Sequence, residues 1–228
     1  MRNLTAFLFC TGLVLSLSIS CQEKDSPIGP PKSISYLALG DSYTIGEGVA
    51  AEERWPNQLV DSLRVEGIQM SDVEIIAQTG WTTAVLLDAL SDAQRKSYDM
   101  VSLLIGVNDQ YQNRDFELFQ SDFNTILERS IQFAGGKERV FVLSIPDYGV
   151  TPFGAVDSLS IATELNAYNT FIRSRCEEEQ IMFVDITGIS RGLGDGQGAL
   201  APDNLHPSGH QYREWMRAAY PVARAIIY

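Results

Sequence analysis

The feature that most restricts the fold of this 228-residue chain is a regular alternation of short apolar runs with longer amphipathic segments. Five runs are short, apolar and compatible with β-strands: residues 35–39, 73–77, 100–105, 140–145 and 181–186. Several intervening segments, such as 116–133 and 159–179, carry apolar side chains at the spacing of one helix face. Strands that alternate with helices favour a doubly wound parallel sheet over a sandwich or a helical bundle. The sequence therefore predicts one α/β domain over residues 33–228.

The sequence gives finer expectations for three segments of the chain. In the helix predicted for residues 83–93, we expect these side chains to face the core: Val85, Leu86 and Leu90. The glycine-rich stretch 188–198 predicts a loop. We expect the last helix to break or to begin again at Pro221, because proline has no backbone N–H. Its inward side chains should be Trp215, Met216, Ala219 and Val222.

The first 20 residues have the layout of a secretory signal peptide, with Arg2 ahead of an apolar run over residues 6–15. That run is too short, and too soon interrupted by serines, for a membrane-spanning helix. Cys21 follows the small residue Ser20, as in the signals of bacterial lipoproteins, whose cysteine is lipidated. Residues 21–32 are polar and proline-rich and predict a lipidated tether. We expect an exported, membrane-anchored lipoprotein, with plain secretion as the alternative.

Composition excludes one class of partner and leaves one cysteine to explain. The formal net charge of −12 argues against nucleic acid as a ligand, because such binding depends on neutralising phosphates. Cys10 is removed with the signal peptide and Cys21 carries the lipid, so Cys176 has no partner for a disulfide within the chain. We interpret Cys176, which lies in a predicted helix, as a structural residue and not as a nucleophile.

A serine lies where the first predicted strand ends, in the stretch Gly40-Asp41-Ser42-Tyr43. Open α/β sheets bind their ligands at the carboxyl ends of the strands, so the Ser42 hydroxyl is expected at that edge. A serine nucleophile needs a neighbouring base. The chain has two histidines, and only His206 has a carboxylate, Asp203, three residues before it; Pro207 holds that place before His210. This pattern predicts Ser42, His206 and Asp203 as nucleophile, base and orienting acid.

When a serine attacks a carbonyl group, an oxyanion develops, and it needs hydrogen-bond donors to stabilise it. The candidates are the amide of Ser42, the amide of Gly80 after the second strand and the side chain of Asn108 after the third. Each position also has a simpler interpretation, since Gly, Asn, Asp and Ser are common in turns. In particular, Asp203 or Asn204 is a possible cap of the last helix, and Asp109 a possible cap of the segment that follows it.

Together these residues resemble the conserved blocks of the SGNH hydrolase superfamily, also called GDSL esterases and lipases. The matching stretches are Gly40-Asp41-Ser42-Tyr43, Gly80, Gly106-Val107-Asn108-Asp109 and Asp203-Asn204-Leu205-His206. Tyr43 replaces the leucine of the family name, and the asparagine often found just before the second-block glycine is missing. The resemblance implies a flavodoxin-like, three-layer α/β/α fold with a five-stranded parallel sheet. It also implies hydrolysis of acyl esters through an acyl-serine, without a metal or other cofactor.

The substrate is less constrained than the reaction. We expect a small-molecule or glycan ester with a short acyl group, such as an acetylated carbohydrate. The alternatives are a lysophospholipid or other long-chain ester, transfer of the acyl group to an alcohol, and non-catalytic binding at a surface. Several aromatic residues on predicted edge loops are candidates for an acyl pocket or a sugar platform, or belong to the margin of the core: Tyr43, Trp81, Tyr111, Tyr148 and Phe153. The sequence does not indicate an oligomeric state.

Overall fold

Five short strands form one parallel sheet in the computed structural model, which describes Met1 and residues 33–92 and 97–228. The strands are β1 (Tyr36–Gly40), β2 (Glu74–Ala77), β3 (Met100–Leu104), β4 (Val140–Leu143) and β5 (Met182–Val184). Their order in the sheet is β2-β1-β3-β4-β5, with every neighbouring pair parallel. This is the flavodoxin-like order, and it confirms the predicted fold class.

The described helices cover both faces of this sheet. They are α1 (Ser42–Ile45), α2 (Trp55–Val65), α3 (Thr83–Asp92), α4 (Val107–Tyr111), α5 (Phe116–Ala134), α6 (Ser158–Glu179), α7 (Thr187–Leu193) and α8 (Gly209–Ile227). Helices α2 and α8 pack together on one face, and α3 and α5 pack together on the other. Helix α6 contacts α5 through the rings of Phe119, Tyr168 and Phe171, which meet in tilted and edge-to-face arrangements. Short 3₁₀ turns lie at Ala51–Glu53, Lys137–Arg139, Tyr148–Val150 and Ala155–Asp157.

Strand register brings the ends of the central strands to one edge. Gly40, the last residue of β1, lies beside Ala77 of β2 and Leu104 of β3. All residues of β1, β3 and β4 are buried, as expected for strands covered on both faces. The chain reverses its direction across the sheet between β1 and β3, and such a switch point is where flavodoxin-like folds form their crevice.

Two predicted parts of the chain lie outside the described residues. They are the predicted signal peptide at residues 1–20, of which only Met1 is described, and the predicted tether at residues 21–32, which includes Cys21. From Ser33 onward the described residues form one compact unit. Within that unit no helix combines the length and the apolar character that crossing a bilayer requires. Cys176 is completely buried on α6, and burial raises the pKa of its thiol to about 12, which suits a structural residue.

The prediction of a loop over residues 188–198 was wrong for the first part of that stretch, because α7 occupies Thr187–Leu193. The Asp185 carboxylate accepts the Thr187 amide at 3.1 Å and the Gly188 amide at 3.4 Å, which satisfies two donors of the first turn. The Thr187 hydroxyl also donates to the Ile145 carbonyl at 2.7 Å. These contacts hold α7 in place and outweigh the low helix propensity of its glycines.

The break expected at Pro221 was also wrong, because α8 continues through it to Ile227. Pro221 and Arg217, whose carbonyl loses its helical partner, are both exposed, so water can satisfy that carbonyl. Ala223 faces the core, while Val222 is only half-buried. In α3 the inward residues Leu86 and Leu90 are buried as expected, but Val85 is 43% exposed.

Candidate active site

Ser42 is the first residue of α1 and follows β1 after a single residue, Asp41. Asp41 is the N-cap of this short helix, and its Oδ1 accepts the amide of Tyr43 at 3.0 Å. A Cβ at Gly40 would collide with the Thr44 hydroxyl and the Leu104 carbonyl. Gly40 is not among the residues with positive φ, so glycine is needed there for close approach and not for a left-handed backbone conformation.

His206 is held by Asp203 in a tight turn before α8. The distance from His206 Nδ1 to Asp203 Oδ2 is 2.6 Å. Asp203 Oδ1 also accepts the amides of Leu205 and His206, each at 2.9 Å. Partial burial opposes ionisation of Asp203, but these hydrogen bonds outweigh it and hold the pKa of Asp203 below its ordinary value. The carboxylate therefore stays charged and fixes the imidazole so that Nε2 remains available.

The alternative interpretation of Asp203 and Asn204 as helix caps was wrong. Helix α8 is capped by Ser208, whose hydroxyl accepts the Gln211 amide at 3.3 Å. Asp203 closes its own turn instead, and Asn204 within that turn has a φ of 60°. His210, the second histidine, is exposed on α8 and does not line the cavity described next.

One cavity of about 230 Å³ brings the remaining candidates together. Its wall includes Ser42, Gly80, Asn108 and His206, which come from four distant parts of the chain. Ser42 is 5% exposed, and 12% of the His206 side chain is exposed. Among the described residues, the Ser42 hydroxyl makes no hydrogen bond to the imidazole, as is common for catalytic pairs before substrate tightens them.

The two candidate donors beyond Ser42 lie on a loop and on a short helix that contact each other. Gly80 has a φ of +84°, a conformation that favours glycine, and its missing side chain leaves open space. Asn108 is in α4, and its Nδ2 donates to the Trp81 carbonyl at 3.0 Å. Because a side-chain amide has two N–H bonds, the second remains free for an oxyanion. The Gln112 side chain donates to the Gly80 carbonyl at 3.4 Å, a second link between these two segments.

A buried polar network behind these two segments was not predicted from the sequence. Asp109 is fully buried and accepts the Thr83 amide at 2.9 Å and the Thr83 hydroxyl at 2.6 Å. Arg114 donates to Asp109 at 2.9 Å and to Asp122 at 2.6 Å. Asp109 therefore binds the start of α3, which follows the Gly80 loop, and does not cap the segment after itself.

Four of the five aromatic candidates line the cavity: Tyr43, Tyr111, Tyr148 and Phe153. Trp81 does not, and it packs partly buried against the core. Three other lining residues were missed: Thr79, Val107 and Leu205. Val107 and Leu205 each lie inside a quoted block, beside Asn108 and beside His206, and that position is the signal that the sequence offered.

Asp41, beside Ser42, is nearly inaccessible to solvent, and its Oδ2 has no hydrogen-bond partner among the described residues. Burial raises the pKa of Asp41 to about 8, and the negative charge of Asp109 adds to this effect. The hydrogen bond from the Tyr43 amide acts in the opposite direction and lowers the pKa. Asp41 is therefore mostly neutral at pH 7. Across the described part of the chain, no three His, Cys, Asp or Glu side chains are grouped so as to hold a metal ion.

Comparison with known proteins gives distant likenesses over most of the chain. A spore germination lipase, LipC, of Bacillus licheniformis is 22% identical over 214 residues, which cover 82% of this chain and 96% of that protein. The acetylxylan esterase Axe2 of Geobacillus stearothermophilus superposes with a TM-score of 0.65 at 18% identity, over 86% of this chain and 94% of Axe2. The psychrotrophic esterase EstA of a Pseudoalteromonas species gives 0.60 at 18% identity, over 85% of this chain and 98% of EstA.

These structural likenesses show a shared fold. The family is assigned from a sequence match. Residues 38–214 match the model of the GDSL-like lipase/acylhydrolase family. The matched region begins within β1 and ends within α8, so it contains Ser42, Asn108 and His206. Because this match covers well over half of the chain, the chain belongs to the GDSL-like lipase/acylhydrolase family and is a carboxylic ester hydrolase.

Proposed function

We propose that this enzyme hydrolyses short acyl esters, above all acetyl esters of carbohydrates, through an acyl-serine intermediate on Ser42. The observation that carries the proposal is the common cavity of Ser42, His206, Gly80 and Asn108, with Asp203 on the far side of the imidazole. The volume of that cavity, about 230 Å³, lies below the ~300–1,000 Å³ typical of sites for larger ligands. The structural likeness to an acetylxylan esterase is a further argument for an acetylated glycan.

In the first half of the reaction, Ser42 Oγ attacks the ester carbonyl carbon while its proton passes to His206 Nε2. Asp203, charged at neutral pH, stabilises the resulting imidazolium through Nδ1–H. The tetrahedral intermediate then collapses, the C–O bond to the alcohol breaks, and the alcohol leaves with the proton from His206. The acyl group remains bonded to Ser42 Oγ.

In the second half, water attacks the acyl-serine and gives its proton to His206. Collapse of this second intermediate releases the carboxylic acid, and His206 returns the proton to Ser42 Oγ. In both halves the developing oxyanion receives hydrogen bonds from the amides of Ser42 and Gly80 and from Asn108 Nδ2. Donors fixed before the reaction need no reorganisation when the charge appears, which is the source of their effect on rate.

Hydrolysis of p-nitrophenyl acetate tests the nucleophile. We expect Ser42→Ala to lower kcat by roughly 10⁴-fold or more, since loss of a serine nucleophile removes the covalent route altogether. Ser91→Ala is the matched control, because Ser91 is exposed on α3 and, among the residues that the structure describes, its hydroxyl donates only to the Leu87 carbonyl of the same helix. Activity of Ser42→Ala near that of the control would rule out the assignment.

A long-chain ester is the second candidate, because the lipase LipC is a relative and the sequence predicts a lipid anchor. A series of p-nitrophenyl esters from acetate to laurate separates the two. The small cavity predicts that kcat/KM falls as the chain lengthens beyond a few carbons. A rise towards laurate favours the lipase. Faster product formation with an added alcohol acceptor than with water alone favours acyl transfer.

We also propose that the enzyme is exported and anchored through a lipid on Cys21. The support is the layout of residues 1–32, with a basic start, an apolar run and a cysteine after a small residue. An exported, anchored hydrolase is suited to ester substrates that are too large to enter the cell, such as acetylated polysaccharides.

A further inference from the structure

A second cavity, of about 370 Å³, adjoins the catalytic one. The two share three lining residues, Tyr111, Tyr148 and Phe153, which we call the aromatic cluster. Its ring centroids are 5.8–6.3 Å apart. Tyr111 and Phe153 are about half exposed, whereas Tyr148 is 7% exposed. A molecule bound in the second cavity would therefore contact the same three rings that line the cavity of Ser42.

The second cavity has a buried acceptor without a partner. Gln110 lines it, is 7% exposed, and has no hydrogen-bond partner for its Oε1 among the described residues. Its Nε2 donates to Glu164 at 2.8 Å, and Glu164 also accepts the Ser160 hydroxyl at 3.1 Å. An unpaired buried acceptor is costly, and a hydroxyl donated by a ligand would remove that cost.

Asp157, on the same wall, has a carboxylate that is free to bind a ligand. It is the N-cap residue of α6, where an aspartate ordinarily accepts a backbone amide, yet its side chain makes no such bond. Among the residues that the structure describes, the Asp157 carboxylate makes neither a hydrogen bond nor an ion pair. Its charge faces solvent on an exposed residue at the edge of the cavity.

The lining of this cavity defines the chemistry of its ligand. Its charged members are Asp157 and Glu164, and no Lys, Arg or His is among the lining residues. Carboxylates and amide oxygens accept hydrogen bonds, so they favour a ligand rich in hydroxyl groups. The aromatic cluster offers ring faces for the apolar C–H face of such a ligand. The two negative charges disfavour an anionic ligand such as a glycerol phosphate.

From these features we infer that the second cavity binds the alcohol portion of the substrate and that this portion is a neutral sugar. The inference rests on the proposed ester hydrolysis and adds to it where the glycan lies and which residues recognise it. Asp157, Glu164 and Gln110 accept sugar hydroxyls, while the aromatic cluster packs on the ring beside the ester bond. A phosphate-bearing lysophospholipid is a poor substrate because the carboxylates of Asp157 and Glu164 repel its phosphate, whereas the same carboxylates accept the hydroxyl groups of a neutral glycan.

The test compares kcat/KM on an acetylated neutral oligosaccharide with kcat/KM on p-nitrophenyl acetate, whose alcohol lacks hydroxyl donors. We expect Asp157→Ala to lower the ratio of these two constants about tenfold, the usual effect of losing a hydrogen bond to a charged group. Asp157→Asn keeps an acceptor oxygen and should lower the ratio less. Glu128→Ala is the control, because Glu128 is an exposed carboxylate that lines neither cavity.

A binding measurement gives a readout that is independent of turnover. The Ser42→Ala protein, with and without Asp157→Ala, is titrated with the same acetylated oligosaccharide, and we expect the second change to raise Kd about tenfold. An unchanged ratio and an unchanged Kd overturn the inference about the sugar. Preference for acetylcholine over the oligosaccharide, lost in Asp157→Ala, also overturns it and assigns a cationic alcohol. Loss of the proposed function is recognised separately, by p-nitrophenyl acetate hydrolysis that survives Ser42→Ala.

Discussion

Asp41 shows how burial beside the nucleophile changes the behaviour of a single residue. Its Oδ1 accepts the Tyr43 amide, and this bond needs only a carbonyl-like oxygen. Its Oδ2 is buried without a partner, which is why the acid is neutral up to a pKa of about 8. A neutral acid here keeps negative charge away from the proposed position of the oxyanion, beside Ser42.

Stability should respond to pH through Asp41 in a predictable direction. In the unfolded chain this carboxyl titrates near its ordinary pKa of 3.8, whereas in the folded protein the pKa is about 8. Between these values the unfolded chain has released the proton and the folded chain holds it, so the contribution of Asp41 to stability is lost as pH rises from about 4 to about 8. Asn at this position keeps the cap and does not titrate.

We therefore predict that Asp41→Asn raises Tm relative to the wild type by more at pH 8 than at pH 5. Thermal unfolding followed by circular dichroism at both pH values measures this difference. Asp195→Asn is the control, since Asp195 is an exposed carboxylate, and its effect should be the same at both pH values. Equal shifts for Asp41→Asn at pH 5 and pH 8 would show that the wild-type carboxyl is ionised throughout.

Asn108 should act on the transition state more than on substrate binding. We predict that Asn108→Ala lowers kcat on p-nitrophenyl acetate by roughly 10²–10³-fold with little change in KM, because the bond it supplies forms fully only to the oxyanion. Asn124→Ala is a matched control, since Asn124 lies on α5, accepts the Arg175 guanidinium at 2.9 Å and lines neither cavity. A large rise in KM at unchanged kcat would instead place Asn108 in ground-state binding.

The residues of the site were predictable where each one directly follows a strand or precedes a helix. Ser42 and Asn108 come within a few residues of the ends of β1 and β3, and parallel strands end at a common edge. The Asp109–Thr83–Arg114 network was not predictable. Asp109 and Thr83 are 26 residues apart, and neither has a periodic or motif signal that points to the other.

At the level of elements, that network connects three helices. Asp109 in α4 binds the first residue of α3, and Arg114 joins Asp109 to Asp122 in α5. The Gly80 loop leads into α3, and Asn108 precedes Asp109, so two of the three proposed oxyanion donors are adjacent to the network. A rigid connection at this point keeps the two donors at a fixed separation.

We predict that Arg114→Ala lowers the free energy of unfolding by roughly 2–4 kcal/mol, because it leaves the buried charge of Asp109 without its ionic partner. Urea denaturation measures the change. Arg217→Ala is the matched control, since Arg217 pairs with Glu214 on the surface and its side chain is 63% exposed; its loss should cost about 0.5 kcal/mol or less. Equal costs for the two variants would mean that Asp109 is satisfied by Thr83 alone.

Elements were well predicted where periodicity was strong and less well where a breaker residue was given too much weight. The segment 159–179 was predicted to have one apolar helix face, and Ile161, Leu165 and Ile172 on that face of α6 are buried. Helix α7 and the continuation of α8 through Pro221 were missed, because local propensity speaks against both and the contacts that favour them are not local. Asp185 supplies acceptors at the start of α7, and solvent meets the exposed side of α8 at Pro221.

For the whole molecule, strand order determines where chemistry can take place. The switch between β1 and β3 places the Ser42 loop beside the Asn108 loop, and the segment before α8 brings His206 to the same cavity. The adjoining second cavity is formed by the segment from Tyr148 to Glu164, which follows β4, and by residues 110–113, which follow β3. Hence one edge of the sheet carries both the proposed acyl site and the proposed sugar site.

That N-terminal chain gives the last prediction, on where the molecule is found in the cell. Lipidation requires the thiol of Cys21, and its acyl chains then hold the protein at the membrane. When the full chain is produced in a bacterium with a lipoprotein pathway, we predict that Cys21→Ser moves it from the membrane fraction to the soluble fraction, with kcat/KM on p-nitrophenyl acetate unchanged. Cys176→Ser is the matched control, because Cys176 is buried in the domain and should leave the anchor intact. If the wild type is already soluble after signal cleavage, plain secretion is correct; if Cys21→Ser stays with the membrane, the attachment does not depend on this thiol.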